Sequence, residues 1–113
     1  MFGYKKRTPA QNARSAEDNL YIMQYSFDKN TVKIGRSFNE ESRRKALECS
    51  HNFFVRVVKV FPNKGKWEKP LHRHLHVFHS RRGRGVEWFR LNAISAVQRV
   101  NKLLFRLIWK ARV

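Results

Sequence analysis

The sequence predicts an α+β domain on three observations: a β-hairpin signal over residues 20–37, a strand signal over 52–61, and helical periodicity over 67–79 and again after Asn92. In the hairpin, residues 20–25 are rich in aromatic and β-branched side chains, and 31–35 alternate apolar and polar as a half-buried strand does. Asp28, Lys29 and Asn30 supply the turn. Period-two geometry puts Val32 and Ile34 on one face and Lys33 on the other. Gly35 closes the second strand, where the backbone needs freedom or a ligand must come close.

Asn39 then reads as the N-cap of a helix that has Glu40 and Glu41 in its first turn and Arg43 and Leu47 on one face. Along 52–61 the pattern points Phe54, Arg56, Val58 and Val60 one way and Val55, Val57, Lys59 and Phe61 the other, with a turn at 62–65. Trp67, Leu71, Leu75 and Phe78 form the apolar stripe of a helix over 67–79 that admits Pro70 in its first turn; Glu68, His72, His76 and His79 lie beside that stripe. A basic loop holding Arg81, Arg82 and Arg84 follows, then a short strand or helical turn at 86–91. From Asn92 a final amphipathic helix is expected with Ile94, Val97, Val100, Leu104, Leu107 and Ile108 inward, and Phe105 and Trp109 on its other flank for a partner or second subunit. The chain thus divides into a basic arm (1–14), a folded domain (15–92) and a basic amphipathic helix (93–113).

Composition narrows the function. A chain of 113 residues is one domain, long enough to bury about two thirds of the surface it exposes when unfolded. With 25 Lys and Arg against eight Asp and Glu, the formal charge of +17 calls for a polyanionic partner. All eight acids lie between Glu17 and Glu87, so both ends are purely basic and suited to salt-sensitive, sequence-indifferent phosphate binding. Nucleic acid is the expected partner, DNA ahead of RNA. No apolar run approaches the roughly 20 residues that span a bilayer. Cys49 is alone, which excludes a disulfide framework and a cysteine zinc site and suits a reducing compartment or a virion, and the N-terminus lacks the apolar run of a secretory signal.

Tyr21-Ile22-Met23, Lys33-Ile34-Gly35, Arg43 with Leu47, Glu68 four residues before His72, and Glu87-Trp88-Phe89 form an ordered series over about residues 19–92. In that order and spacing the chain resembles the GIY-YIG nuclease superfamily. It is most similar to the branch rich in phage and large-virus proteins that has KIG in place of YIG. The resemblance implies a three-stranded antiparallel sheet flanked by helices, and phosphodiester hydrolysis assisted by one divalent cation, Mg²⁺ or Mn²⁺. It also implies roles for Tyr21 in positioning or deprotonating water, Lys33 in place of the second tyrosine, Arg43 in neutralising the scissile phosphate, and Glu68 as the metal carboxylate. Arg44 takes the place of Arg43 if the register shifts by one. Asn19 stands where the superfamily has glycine. Lys33 serves as a base only if neighbouring cations such as Arg36 and Arg43 drive off its proton; as an ammonium it binds phosphate.

Arg36, Arg44, His72, Arg81, Arg82 and Arg84 are the remaining candidate contacts to nucleic acid. Glu68, His72 and His76 share a helical face and form a conceivable zinc set, although a straight helix seldom offers three ligands to one ion. Two functions follow: a nucleic-acid-binding protein with a metal-dependent endonuclease site, or an inactive structural subunit of a virion or ribonucleoprotein particle held to its neighbours by basic ends.

Overall fold

A computed structural model describes residues 18–51, 54–80 and 88–112. The basic arm, Glu87 and the loop arginines Arg81, Arg82 and Arg84 lie outside the described residues. Strands β1 (Asn19–Tyr25), β2 (Val32–Ser37), β3 (Val55–Phe61) and β4 (Trp88–Phe89) form one antiparallel sheet in the order β3-β1-β2-β4. The expected three strands are therefore four. The Trp88-Phe89 pair, too short to be distinguished from a helical turn by pattern, takes strand form by pairing with Lys33 and Val32.

Among the described residues three α-helices cover the sheet: α1 (Glu40–His51), α2 (Glu68–His74) and α3 (Ala93–Arg112). Leu20, Ile22, Val32, Ile34, Phe61 and Phe89 bury one face under Leu71 and Leu75 and under Ala96, Val100 and Leu104 of α3. Tyr21, Met23, Tyr25, Val55 and Trp88 pack on the other face with Leu47 of α1. Being covered on both sides, β2 is not the half-buried strand its alternation implies, and Lys33 is only 5% exposed.

Local chemistry accounts for the helix starts. Asn39 Oδ1 accepts from the Ser42 N–H at 3.1 Å, and Asn92 Oδ1 from the Ser95 N–H at 2.8 Å, so each asparagine satisfies a donor that its helix leaves open. Pro70 stands third in α2, where no intrahelical N–H bond is lost.

The fold departs from four of the expected features. Strand β2 runs through Gly35 to Ser37, since Gly35, Arg36 and Ser37 pair with Tyr21, Leu20 and Asn19. Between Ile22 and Met23 the β3 register jumps from Lys59 to Val57, leaving Val58 as an extra residue. That bulge reverses the phase of the strand, so Val55 and Val57 face the second cluster while Val58 and Phe61 join the first. The expected helix over 67–79 divides into a 3₁₀ turn (Gly65–Trp67), α2 and a second 3₁₀ turn (His76–Phe78). The second turn aims the backbone at β4, where Phe78 O accepts from the Arg90 N–H and Trp88 O from the Ser80 N–H. In α3, finally, Ile94 is 74% exposed and not part of the inward stripe; the buried positions are Ala96, Val100 and Leu104.

Candidate functional site

The site is built on the second face of the sheet. Tyr21 in β1 and Gly35 in β2 are cross-strand partners, and the Tyr21 ring fills the space above the glycine. A Cβ at Gly35 would lie 2.4 Å from Tyr21 Oη and 2.6 Å from Cζ. The close approach that Gly35 permits is therefore of a tyrosine ring, not of a ligand. Helix α1 then brings Arg43 over the same tyrosine, and Arg43 Nε donates to Tyr21 Oη at 3.3 Å across 22 residues of sequence. This bond identifies Arg43, rather than Arg44, as the helix arginine that joins the first-strand tyrosine.

Lys33, opposite Met23, shares the face of Tyr21. Its Nζ lies 5.4 Å from the centre of the Trp88 ring, which gives a nearly sealed ammonium an electrostatic partner. A phenol and a guanidinium thus meet on a sheet face that also carries an ammonium. Tyr21 is fully buried and Arg43 half-buried, so Arg43 is the most accessible of the three.

Glu68 and His72 come from elsewhere. They lie one turn apart on a common face of α2, a helix packed through Leu71 on the first face of the sheet. His72 Nε2 meets Ile34 O at 2.7 Å, and because a carbonyl only accepts, that nitrogen carries the proton. On β2 the partners of β4 are Val32 and Lys33, so His72 meets β2 where the short fourth strand stops. Glu68, half-buried, begins the helix that closes this edge. His76 Nδ1 bonds Arg73 O within its own turn, and no three His, Cys, Asp or Glu gather as a metal-binding group among the described residues.

Two of the candidate phosphate cations are engaged by acids. Arg36 falls on the first face beside Leu20, away from Lys33, and its Nε donates to Asp18 Oδ2 at 3.0 Å. Asp18 is fully buried, and the Gly65 N–H also bonds its carbonyl at 2.8 Å. Arg44 bridges Glu41 and Glu48 on the surface of α1, with Nη1 2.9 Å from Glu48 Oε1. The hydrogen bond from Arg44 holds the Glu41 carboxyl below the usual carboxylate range. Glu48 Oε2 in turn accepts from the Val55 N–H at 2.7 Å, tying α1 to the start of β3.

Sequence reasoning passed over Asp18, which reads as one of two local acids, and gave no role to Trp88, although the Glu87-Trp88-Phe89 box marks its position. The Asp18–Arg36 pair has a consequence for stability. Arg36→Ala removes an ion-pair partner of a buried carboxylate and is expected to destabilise by about 2 kcal/mol, below the fully buried range because the arginine is partly exposed. Urea unfolding of Arg36→Ala beside Asp18→Asn/Arg36→Ala checks this, the double variant regaining part of the loss.

No protein of curated function and no solved structure matches the chain. The family model of the T5orf172 domain matches residues 19–107, from the first residue of β1 well into α3. That span takes in all four strands, both sheet faces and every described candidate residue, and the chain accordingly belongs to the T5orf172 domain family, a phage-associated domain of the GIY-YIG-like/HNH endonuclease type.

Proposed function

We propose that this protein binds nucleic acid, DNA in preference to RNA, and hydrolyses a phosphodiester bond with the help of one divalent cation. The observation that carries the reading is the 3.3 Å bond from Arg43 Nε to Tyr21 Oη. It sets a guanidinium beside a phenol on the face that also holds Lys33. The family, and a formal charge of +17, support a nucleic-acid partner.

Arg43, the most accessible of the three, is the group a scissile phosphate meets, and its five N–H donors allow it to hold phosphate oxygens while keeping Tyr21. The Lys33 ammonium lies on the same sheet face, nearly out of water, where a fixed charge stabilises the negative charge that grows on phosphorus more strongly than it would in solvent. The Tyr21 oxygen, held in place by Arg43, serves either to position the attacking water as a phenol or, as a phenolate, to accept its proton.

The donor set suits a hard ion. With no cluster of three ligands among the described residues, Glu68 would hold Mg²⁺ or Mn²⁺ through carboxylate oxygen, the other positions being left to water and phosphate. When bound, the ion supplies Lewis-acid stabilisation of the leaving oxygen. His72, fixed to Ile34 O, steadies the helix that carries Glu68.

The other reading, a structural subunit of a virion or ribonucleoprotein particle, draws on α3, whose exposed Phe105 and Trp109 lie among cations. Incubation with supercoiled plasmid in Mg²⁺ or Mn²⁺ separates the two. Nicking by the wild type that disappears in EDTA and in Glu68→Ala supports the enzyme. Retained, salt-sensitive binding with no cleavage of DNA or RNA supports the structural subunit.

A further inference from the structure

Charge is divided unequally between the helices on the two faces of the sheet. Helix α1, over the second face, sets Glu40, Glu41 and Glu48 among Arg43, Arg44 and Lys45, and two of those acids bridge Arg44. Helix α3, over the first face, carries Arg99, Lys102, Arg106, Lys110 and Arg112 without one acid in its 20 residues. None of these five cations is ion-paired with an acid among the described residues. A solvated helix commonly offsets its cations with acids three or four residues away, as α1 does. On α3 that neutralisation is left to something outside the helix.

The geometry of α3 gathers the charge on its outer side. Ala96, Val100 and Leu104 are buried against the sheet, so at 3.6 residues per turn Lys102, Phe105 and Trp109 point away from it, with Arg99, Arg106 and Lys110 in a row alongside. The row extends about 16 Å along the helix axis. Its first member is held in place, since the Arg99 guanidinium carbon lies 4.6 Å from the centre of the Phe78 ring. Phe105 is 74% and Trp109 62% exposed, so two aromatic rings stand uncovered beside the cations.

A phosphate backbone complements such a surface, with anionic oxygens for the row and apolar sugar and base edges for the rings. A lipid surface fits less well. An interfacial helix lays a continuous apolar face into the bilayer, whereas the apolar face of α3 is already packed on the sheet and its outer side is interrupted by Gln98, Asn101 and Lys102, all exposed. A second copy of the chain would set one acid-free helix against another.

We propose that the outer side of α3 is a nucleic-acid docking surface, separate from the Arg43 site and across the sheet from it. The cation row binds phosphates, and Phe105 and Trp109 lie against sugars and base edges of the same segment. The inference rests on the nucleic-acid reading above and adds to it that the segment held by α3 is not the one presented to Arg43 and Tyr21.

The test is metal-free binding by the full chain, so that cleavage plays no part. Fluorescence anisotropy in EDTA follows a labelled 20-base-pair DNA duplex over a range of salt concentrations. Lys102→Gln/Arg106→Gln is expected to weaken binding about tenfold and to lower the slope of log affinity against log salt by about 2, the loss of two phosphate contacts. Lys29→Gln/Lys45→Gln removes the same charge from exposed positions on the hairpin turn and α1, and should change affinity by no more than about twofold. Phe105→Ala/Trp109→Ala is expected to weaken binding about fivefold with the slope unchanged, because it removes apolar contact and no charge. Thermal melts confirm that each variant folds. Unaltered affinity in either α3 variant, or equal weakening by the hairpin and α1 pair, overturns the docking surface and leaves the nucleic-acid reading in place. A wild type that binds neither DNA nor RNA overturns both, and its flotation with phosphatidylserine vesicles instead would assign α3 to a membrane surface.

Discussion

Gly35→Ala is expected to destabilise the protein by about 3 kcal/mol, the upper part of the range for overpacking a filled interior. The added methyl would meet Tyr21 Oη at 2.4 Å, Cζ at 2.6 Å and Cε1 at 3.1 Å, all well inside the 3.5–4.0 Å at which heavy atoms attract. Tyr21 cannot swing into solvent, because it is fully buried among Met23, Tyr25, Leu47, Val55 and Trp88. Relief must come from parting β1 and β2 or from withdrawing the hydroxyl from Arg43. Gly35 is therefore needed for space, not for an unusual backbone, and it sits within ordinary strand pairing. Chemical denaturation measures the loss. Tyr21→Phe in the Gly35→Ala background removes only the nearest atom and restores little, whereas Tyr21→Ala removes the whole obstruction. The costs of Gly35→Ala and Tyr21→Ala should accordingly sum to more than the cost of the double variant. Additive costs would mean that the ring does not occupy the glycine's space.

What could be read from sequence was local. Asn39 and Asn92 announce their helices because capping is a contact between residues three apart, and the hairpin is set by its own alternation and turn formers. The features that escaped are decided across the fold. Nothing near Val58 marks it as the extra residue of a bulge; its partner strand does. Leu75 ends α2 because the next residues must reach β4, which has only two residues and no pattern of its own. The same division holds in the site. Motif order sets Tyr21 on the first strand and Arg43 on the helix after the hairpin, but the 3.3 Å bond that joins them is made by the fold. The burial of Lys33 depends on α1 and Trp88 covering the second face, and the ion pair that engages Arg36 depends on Asp18, 18 residues away; neither leaves a local signal.

For the proposed hydrolysis, the bond between Arg43 and Tyr21 also separates binding from chemistry. Arg43→Ala should lower the single-turnover cleavage rate by about 10²- to 10³-fold, the loss seen when one positioned donor to a developing oxyanion is removed. Affinity for nucleic acid in EDTA should change little, since one cation among 25 contributes a small part of the electrostatic attraction. Arg43→Lys keeps the charge but replaces a planar fork of donors with a point ammonium, which cannot reproduce guanidinium geometry toward Tyr21 Oη and a phosphate at once; it should recover only a small part of the rate. A purely structural arginine would behave differently, with Arg43→Ala lowering the melting temperature and Arg43→Lys restoring stability and rate together. Single-turnover kinetics beside thermal melts of the two variants decide between these, and a Lys variant at wild-type rate would remove Arg43 from the chemistry.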